Sequence, residues 1–112
     1  MPLLTISMPI LPGKKEKWQK MMDDLLAPGS ESRKEFTESR ESVGVHERTF
    51  LQETPHGDFV ILTFEGENPE KSFEKIMSNM PPDFAEFAKD VHGLDVNSPP
   101  PPLPKLIYDS KE

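Results

Sequence analysis

The chain has 112 residues, 13 prolines, no cysteine and a formal net charge of −7. This length suits one domain with one hydrophobic core, and the lack of cysteine excludes disulfides, thiolate metal sites and a cysteine nucleophile. The acidic balance argues against a nucleic-acid partner, because the phosphates would be repelled. No run approaches the roughly 18 apolar residues of a membrane span, so a cytoplasmic protein with no membrane partner is expected.

The amino-terminal third of the chain predicts one strand and two helices. Residues 3–10 alternate between two faces, one of which carries Leu4, Ile6 and Met8. A helix follows, because five apolar residues recur at helical spacing: Trp18, Met21, Met22, Leu25 and Leu26. A Pro-Gly pair then interrupts the chain, and Ser30 is placed to cap a second, largely exposed helix over residues 31–42.

The centre of the chain predicts a β-hairpin. Strands over residues 44–54 and 58–66 flank Pro55-His56-Gly57, which suits a three-residue loop. That loop places Glu47 directly opposite Glu65. The alternative is a two-residue turn at the histidine and glycine, which would shift the register by one residue and turn one strand over.

The carboxy-terminal half predicts two short helices, a proline-rich tether and a last strand. Asn68-Pro69 supplies the cap and first residue of one helix, and Pro81-Pro82 stops it before Asp83 caps the next. Residues 97–104 are too rich in proline for a helix or a central strand and are expected to form polyproline II. Residues 105–109 have the composition of a short strand.

These elements predict an α+β chain with the ferredoxin-like βαββαβ order, in which a four-stranded antiparallel sheet has helices on one face. The other face would carry Thr5, Leu51, Phe59, Ile61 and Thr63, which together are too apolar to leave in water. A second copy of the chain is therefore the expected partner, in a homodimer formed through the open face of the sheet.

Short stretches spread over residues 10–96 carry a family resemblance. They are Pro12-Gly13-Lys14, Gly44-Val45-His46-Glu47, residues 51–58, Glu65-Gly66 with Asn68-Pro69, and residues 90–95. In these stretches the chain resembles the dimeric α+β barrel superfamily of antibiotic-biosynthesis-monooxygenase-like proteins, most closely an uncharacterised bacterial branch. The resemblance implies a dimeric barrel. It leaves the activity open, because the superfamily includes cofactor-free monooxygenases, haem-handling proteins, isomerases and ligand binders.

Two carboxylates, Glu47 and Glu65, are the candidate catalytic residues. In the expected register they lie side by side on the cavity face, and two close carboxylates in a partly dry site raise the pKa of one of them. Such a group suits acid–base chemistry. The alternative is that each carboxylate is solvated or paired with Arg40, Arg48 or a lysine.

The candidate ligand-binding residues are Thr5, Thr49, Leu51, Ile61 and Thr63 on the sheet and Trp18 on the first helix. They favour a protein that binds a small apolar or aromatic molecule between sheet and helices, with proton transfer or cofactor-free oxygenation as its chemistry. Thr49 or Thr63 would orient the reacting groups. The alternative function is a non-catalytic structural or regulatory dimerisation module, in which a packed seam replaces the cavity.

No metal and no cofactor are expected, because the three histidines lack the spacing of a metal site. A haem stays open as an alternative, since it needs one histidine in a pocket. His46 or His92 would be that ligand.

Overall fold

The computed structural model describes residues 2–98 and 102–111. Its elements in chain order are β1 (Leu3–Ile10), α1 (Lys15–Leu26), α2 (Glu31–Ser42), β2 (Val45–Thr54), β3 (Gly57–Gly66), α3 (Pro69–Ser78) and α4 (Pro82–His92). The three strands form one antiparallel sheet in the order β1-β3-β2. The α+β class is therefore as predicted.

The expected four-stranded ferredoxin-like sheet is wrong, since the sheet has three strands in the part of the chain that is described. The predicted dimeric barrel, which requires two such four-stranded sheets, therefore has no support from this sheet. Residues 105–109 are not in a strand, and Leu106, Ile107 and Tyr108 are 75, 89 and 80% exposed. The prediction failed because strand propensity measures how well side chains fit a half-buried pleated surface, and this segment packs on none.

Most helix ends follow from local signals. The side-chain oxygens of Ser30 and Asn68 cap α2 and α3, at 3.1 and 3.2 Å from the backbone nitrogens three residues further on. In α4 the N-cap is Pro81 and not Asp83, so the helix begins two residues earlier than predicted. It ends at Gly93, whose φ of 72° is the left-handed conformation that glycine adopts without strain.

The hairpin has neither of the two expected turns. Its loop is Pro55-His56, and Gly57 is already the first residue of β3, opposite Thr54. The Thr54 hydroxyl closes this turn, because it donates to the Gly57 carbonyl and accepts from the His56 backbone N–H at 3.2 Å. Relative to β3, every residue of β2 therefore lies on the face opposite to the one expected.

All four helices lie on one side of the sheet, where the inward-facing strand residues form two buried clusters. One cluster consists of Leu4, Val45, Phe64 and Ile76, and the other of Ile10, Trp18, Val60 and Val91. Leu62 packs against both of them and so marks the middle of the core. Leu26, which was predicted to belong to the core stripe of α1, is exposed at the end of that helix.

The other face of the sheet has no helix against it in the described residues. Leu3 and Phe50 on this face are 53% and 51% exposed. Leu51, which was predicted here, lies opposite the buried Val60 and so belongs to the helix side. No helix of the described residues is long and apolar enough to cross a membrane.

Candidate functional site

A cavity of about 280 Å³ lies between the helix-covered face of the sheet and the helices. Its size is close to the lower limit of small-molecule sites, about 300 Å³. The walls are mainly apolar, and both core clusters contribute to them through Phe64, Ile76, Trp18 and Val60. The predicted ligand residue Trp18 therefore does lie at a cavity, together with Met21, Met22, Met77 and Met80.

One ion pair is set into this apolar wall. The Nε of Arg40 on α2 donates to Oε1 of Glu47 on β2 at 2.6 Å, and the two side chains are only 12% and 8% exposed. The guanidinium also lies 4.0 Å above the centroid of the Phe36 ring, one helical turn earlier, and donates to the Ser39 hydroxyl at 3.2 Å. Stacking and hydrogen bonding on several sides hold the cation in a fixed position.

The short connection from α2 to β2 brings these two charges together. The Val43 and Gly44 N–H groups donate to carbonyls in the last turn of α2, at 3.2 and 3.0 Å, and Gly44 has a φ of 73°. This left-handed residue lets β2 run back past the helix it has just left. The buried Ser72 of α3 secures the connection, because its hydroxyl donates to the Val43 carbonyl at 2.7 Å.

The predicted pair of neighbouring carboxylates is wrong. Glu47 lies opposite Phe64, so Glu65 projects from the open face of the sheet. There it pairs with Arg48 at 3.3 Å, with side chains 46% and 39% exposed. The alternative, in which each carboxylate is solvated or paired with Arg40, Arg48 or a lysine, agrees with the structure: Glu47 pairs with Arg40 and Glu65 with Arg48.

The other predicted ligand residues divide between the two faces. Thr49 lines the cavity beside Glu47, and its Oγ1 lies 3.4 Å from Oε2 of that carboxylate. The open face carries Glu65 together with Thr63 and Ile61, which precede it by two and four residues on β3. Thr5 on β1 lies on the same face, because it is the register partner of Thr63. Leu51 is on the helix side, but it does not line the cavity formed by the described residues.

Two polar residues of the cavity wall, Arg40 and His92, were not among the residues predicted to bind a small molecule. Arg40 was considered only as a salt-bridge partner on an exposed helix, although it lies one turn after Phe36 on the same helical face. His92 was considered as a haem ligand and as the last residue of a helix, while the structure shows it at the cavity wall. His46, the other candidate haem ligand, is exposed on the open face opposite Glu65.

His92 is fixed in orientation by two neighbours. Its Nδ1 lies 2.8 Å from the Pro9 carbonyl oxygen, and its ring meets the Phe87 ring edge-on at 6.2 Å between centroids. Burial lowers the pKa of His92 from its usual 6.5, and the hydrogen bond to Pro9 opposes this effect less strongly. His92 is therefore a neutral hydrogen-bonding group at pH 7.

A further wall of the cavity comes from the proline-rich segment. Pro102, Leu103 and Pro104 line it, and Leu103 also packs against the cluster that contains Leu4. The segment predicted as a tether to a strand thus covers the cavity. The polyproline prediction is wrong for Asn97 and Ser98, which lie in a turn and donate their backbone N–H groups to Asp95 at 2.9 and 3.2 Å. Residues 99–101 of the predicted stretch lie outside the described residues.

No group of three histidine, aspartate or glutamate side chains in residues 2–98 and 102–111 is placed to hold a metal ion. Comparison of the chain with models of protein families, with curated proteins and with solved structures finds no match among any of them.

Proposed function

We propose that the protein binds a small, largely apolar molecule between its sheet and helices, and that the Arg40–Glu47 pair recognises a polar group on it. The observation that carries this proposal is an ion pair set into the wall of an otherwise apolar cavity. A buried ion pair is a poor way to stabilise a core, because removing both charges from water costs as much as their attraction returns. A hydrogen-bonding task in the cavity explains its presence better.

The chemistry of the pair defines the polar group it fits. The pair is neutral overall, the guanidinium offers only donors, and the carboxylate offers only acceptors. An anionic group would be repelled by Glu47, and a cationic one by Arg40. A hydroxyl fits both charges, since it donates to the carboxylate and accepts from the guanidinium.

The same arrangement supports proton transfer as the chemistry of the site. The Glu47 carboxylate takes the proton of an acidic ligand hydroxyl, and the bonding electron pair stays on the ligand oxygen. Donors of Arg40 stabilise that oxyanion, while Thr49 holds the second carboxylate oxygen. Cofactor-free oxygenation would require the resulting anion to react with dioxygen, and dioxygen uptake with a phenolic substrate tests that step.

Trp18 provides a direct binding assay, because it is the single tryptophan of the chain and lines the cavity. Titration with 1-decanol should change its fluorescence saturably. 1-Methoxydecane cannot donate to Glu47, so it should bind about tenfold or more weakly. The Arg40→Met/Glu47→Leu variant should bind both compounds about equally, whereas Arg48→Met/Glu65→Leu on the open face should keep the preference.

The alternative proposal is a dimerisation module that uses the open face of the sheet. The half-exposed Leu3 and Phe50 support a second copy of the chain there. Absence of any saturable fluorescence change with 1-decanol would overturn the binding proposal and leave this module as the better account.

A further inference from the structure

The cavity wall holds a second polar group, His92, far from the Arg40–Glu47 pair. Its Nδ1 faces the Pro9 carbonyl oxygen, and a carbonyl can only accept a hydrogen bond. Nδ1 therefore carries the hydrogen, and Nε2 of the neutral ring is an acceptor. Nε2 is the nitrogen of His92 that remains for a molecule in the cavity.

The sheet register gives the separation of the two polar groups. Glu47 lies opposite Phe64, which in turn lies opposite Leu4 on β1. Pro9, whose carbonyl oxygen meets His92, is five residues further along β1, about 16 Å at roughly 3.3 Å per residue, and β1 lies two strand spacings, about 10 Å, from β2. The backbone positions of Glu47 and Pro9 are therefore about 19 Å apart. Ile6 and Met8, which lie between these points on β1, both line the cavity.

The cavity is therefore long, apolar in the middle and polar at both ends. A compact ring system with one substituent reaches one end only. A linear chain of about ten carbons with a polar group at each end spans most of this distance, and a hydrogen bond of about 2.8 Å at each end makes up the rest. Such a chain requires no polar contact along its length.

We infer that the ligand is a linear, largely apolar molecule with a polar group at each end, a hydroxyl at Arg40–Glu47 and an O–H or N–H donor at His92 Nε2. This inference rests on the proposed function. It narrows the ligand class to chains with a functional group at both ends, of which an α,ω-diol is the simplest example.

The test compares 1,10-decanediol with 1-decanol, using the fluorescence of Trp18. The second hydroxyl loses its water on entry, so without a partner it weakens binding. With His92 as acceptor, the diol should bind about three- to tenfold more tightly than the alcohol. His92→Phe should abolish or reverse this preference and still bind 1-decanol, whereas His46→Phe on the open face should leave the preference unchanged.

A measurement on the unmodified protein covers the case in which His92→Phe does not fold. The ¹⁵N resonance of His92 Nε2 should move upfield with the diol and not with 1-decanol, while those of His46 and His56 stay in place. Binding of 1-decanol without a preference for the diol, or a preference that persists in His92→Phe, would overturn the inference and leave the proposed function standing. Failure of both compounds to bind would overturn both.

Discussion

Arg40 and Glu47 are the residues whose energetics and function are most closely tied. Each charge is largely removed from water, and each is compensated mainly by the other. Removal of one partner leaves an uncompensated charge in a mostly apolar wall, while removal of both leaves none. The pair should therefore behave very differently in single and in double variants.

We expect Arg40→Met and Glu47→Leu each to lower the free energy of unfolding by about 2–4 kcal/mol, and the double variant to lose much less than their sum. Urea unfolding followed by circular dichroism measures all three. The exposed pair Arg48 and Glu65 is the matched control, for which Arg48→Met should cost below about 1 kcal/mol. Additive losses in the double variant would show that the two charges do not compensate each other.

The pKa of His92 gives a second prediction at this scale. Burial lowers that pKa in the folded chain below the value of 6.5 expected in the unfolded chain. The unfolded state thus binds more protons, so the stabilising contribution is complete above about pH 6.5 and is lost as the pH falls through the folded pKa. The urea concentration at the midpoint of unfolding should therefore decrease as the pH is lowered from about 7 to about 5.

Carboxylates act in a different pH window. Hydrogen bonds from Lys17 and Lys14 lower the pKa of Asp90 from 3.8. The Asn97 N–H, which donates to Asp95, lowers the pKa of that carboxyl in the same way. The effects of both carboxylates on stability therefore appear at more acidic pH than that of His92. His92→Gln should flatten the curve above pH 5 and leave the acidic limb unchanged. An identical curve in wild type and variant would exclude His92 as the cause.

Among the elements, α2 depends most on its ends. It is dense in charge, buries no residue fully and has Phe36 as its half-buried anchor, yet it carries Arg40. Ser30→Ala should lower the free energy of unfolding by about 1 kcal/mol, because it leaves the Arg33 N–H without its cap. Ser30→Asp, which still caps and suits the helix dipole, should lose little in the same urea titration. Equal losses in both variants would mean that the side chain of residue 30 does not act as a cap.

The elements themselves were largely predictable, because their signals are local. Ser30 and Asn68 mark helix starts through hydrogen bonds to residues three positions away, and the alternating pattern of β1 is complete in eight residues. The hairpin register was not predictable in the same way. Pro55-His56-Gly57 permits several turns, and in the turn that forms, the Thr54 hydroxyl bonds to both Gly57 and His56.

The register of β2 against β3 determines which residues lie together at the candidate site. A shift of one residue separated Glu47 from Glu65 and moved Leu51 to the helix side. The contact between His92 and Pro9 was beyond prediction for another reason, since the hydrogen bond joins residues 83 positions apart in the chain. No local pattern indicates which carbonyl a histidine will meet across the core.

At the scale of the whole molecule, the proposed ligand site and the proposed dimer interface lie on opposite faces of the sheet. The cavity lies on the helix side of the sheet, whereas a partner chain would lie on the open face. The open face combines half-exposed apolar side chains with the Arg48–Glu65 pair, a mixture common in interfaces between protein chains. Ligand binding and self-association can therefore be tested independently.

Self-association through the open face gives the last prediction. Ile61 lies near the centre of that face, because it belongs to the middle strand β3 and has Ser7 and Phe50 as register partners. We expect the wild-type protein to sediment as a dimer and Ile61→Glu as a monomer, since a charge buried in the interface would lose its water without gaining a partner. Glu38→Lys, an exposed change on α2, is the control and should remain a dimer. Both variants should still bind 1-decanol in the Trp18 assay, and a monomeric wild type or a dimeric Ile61→Glu would contradict the open face as the interface.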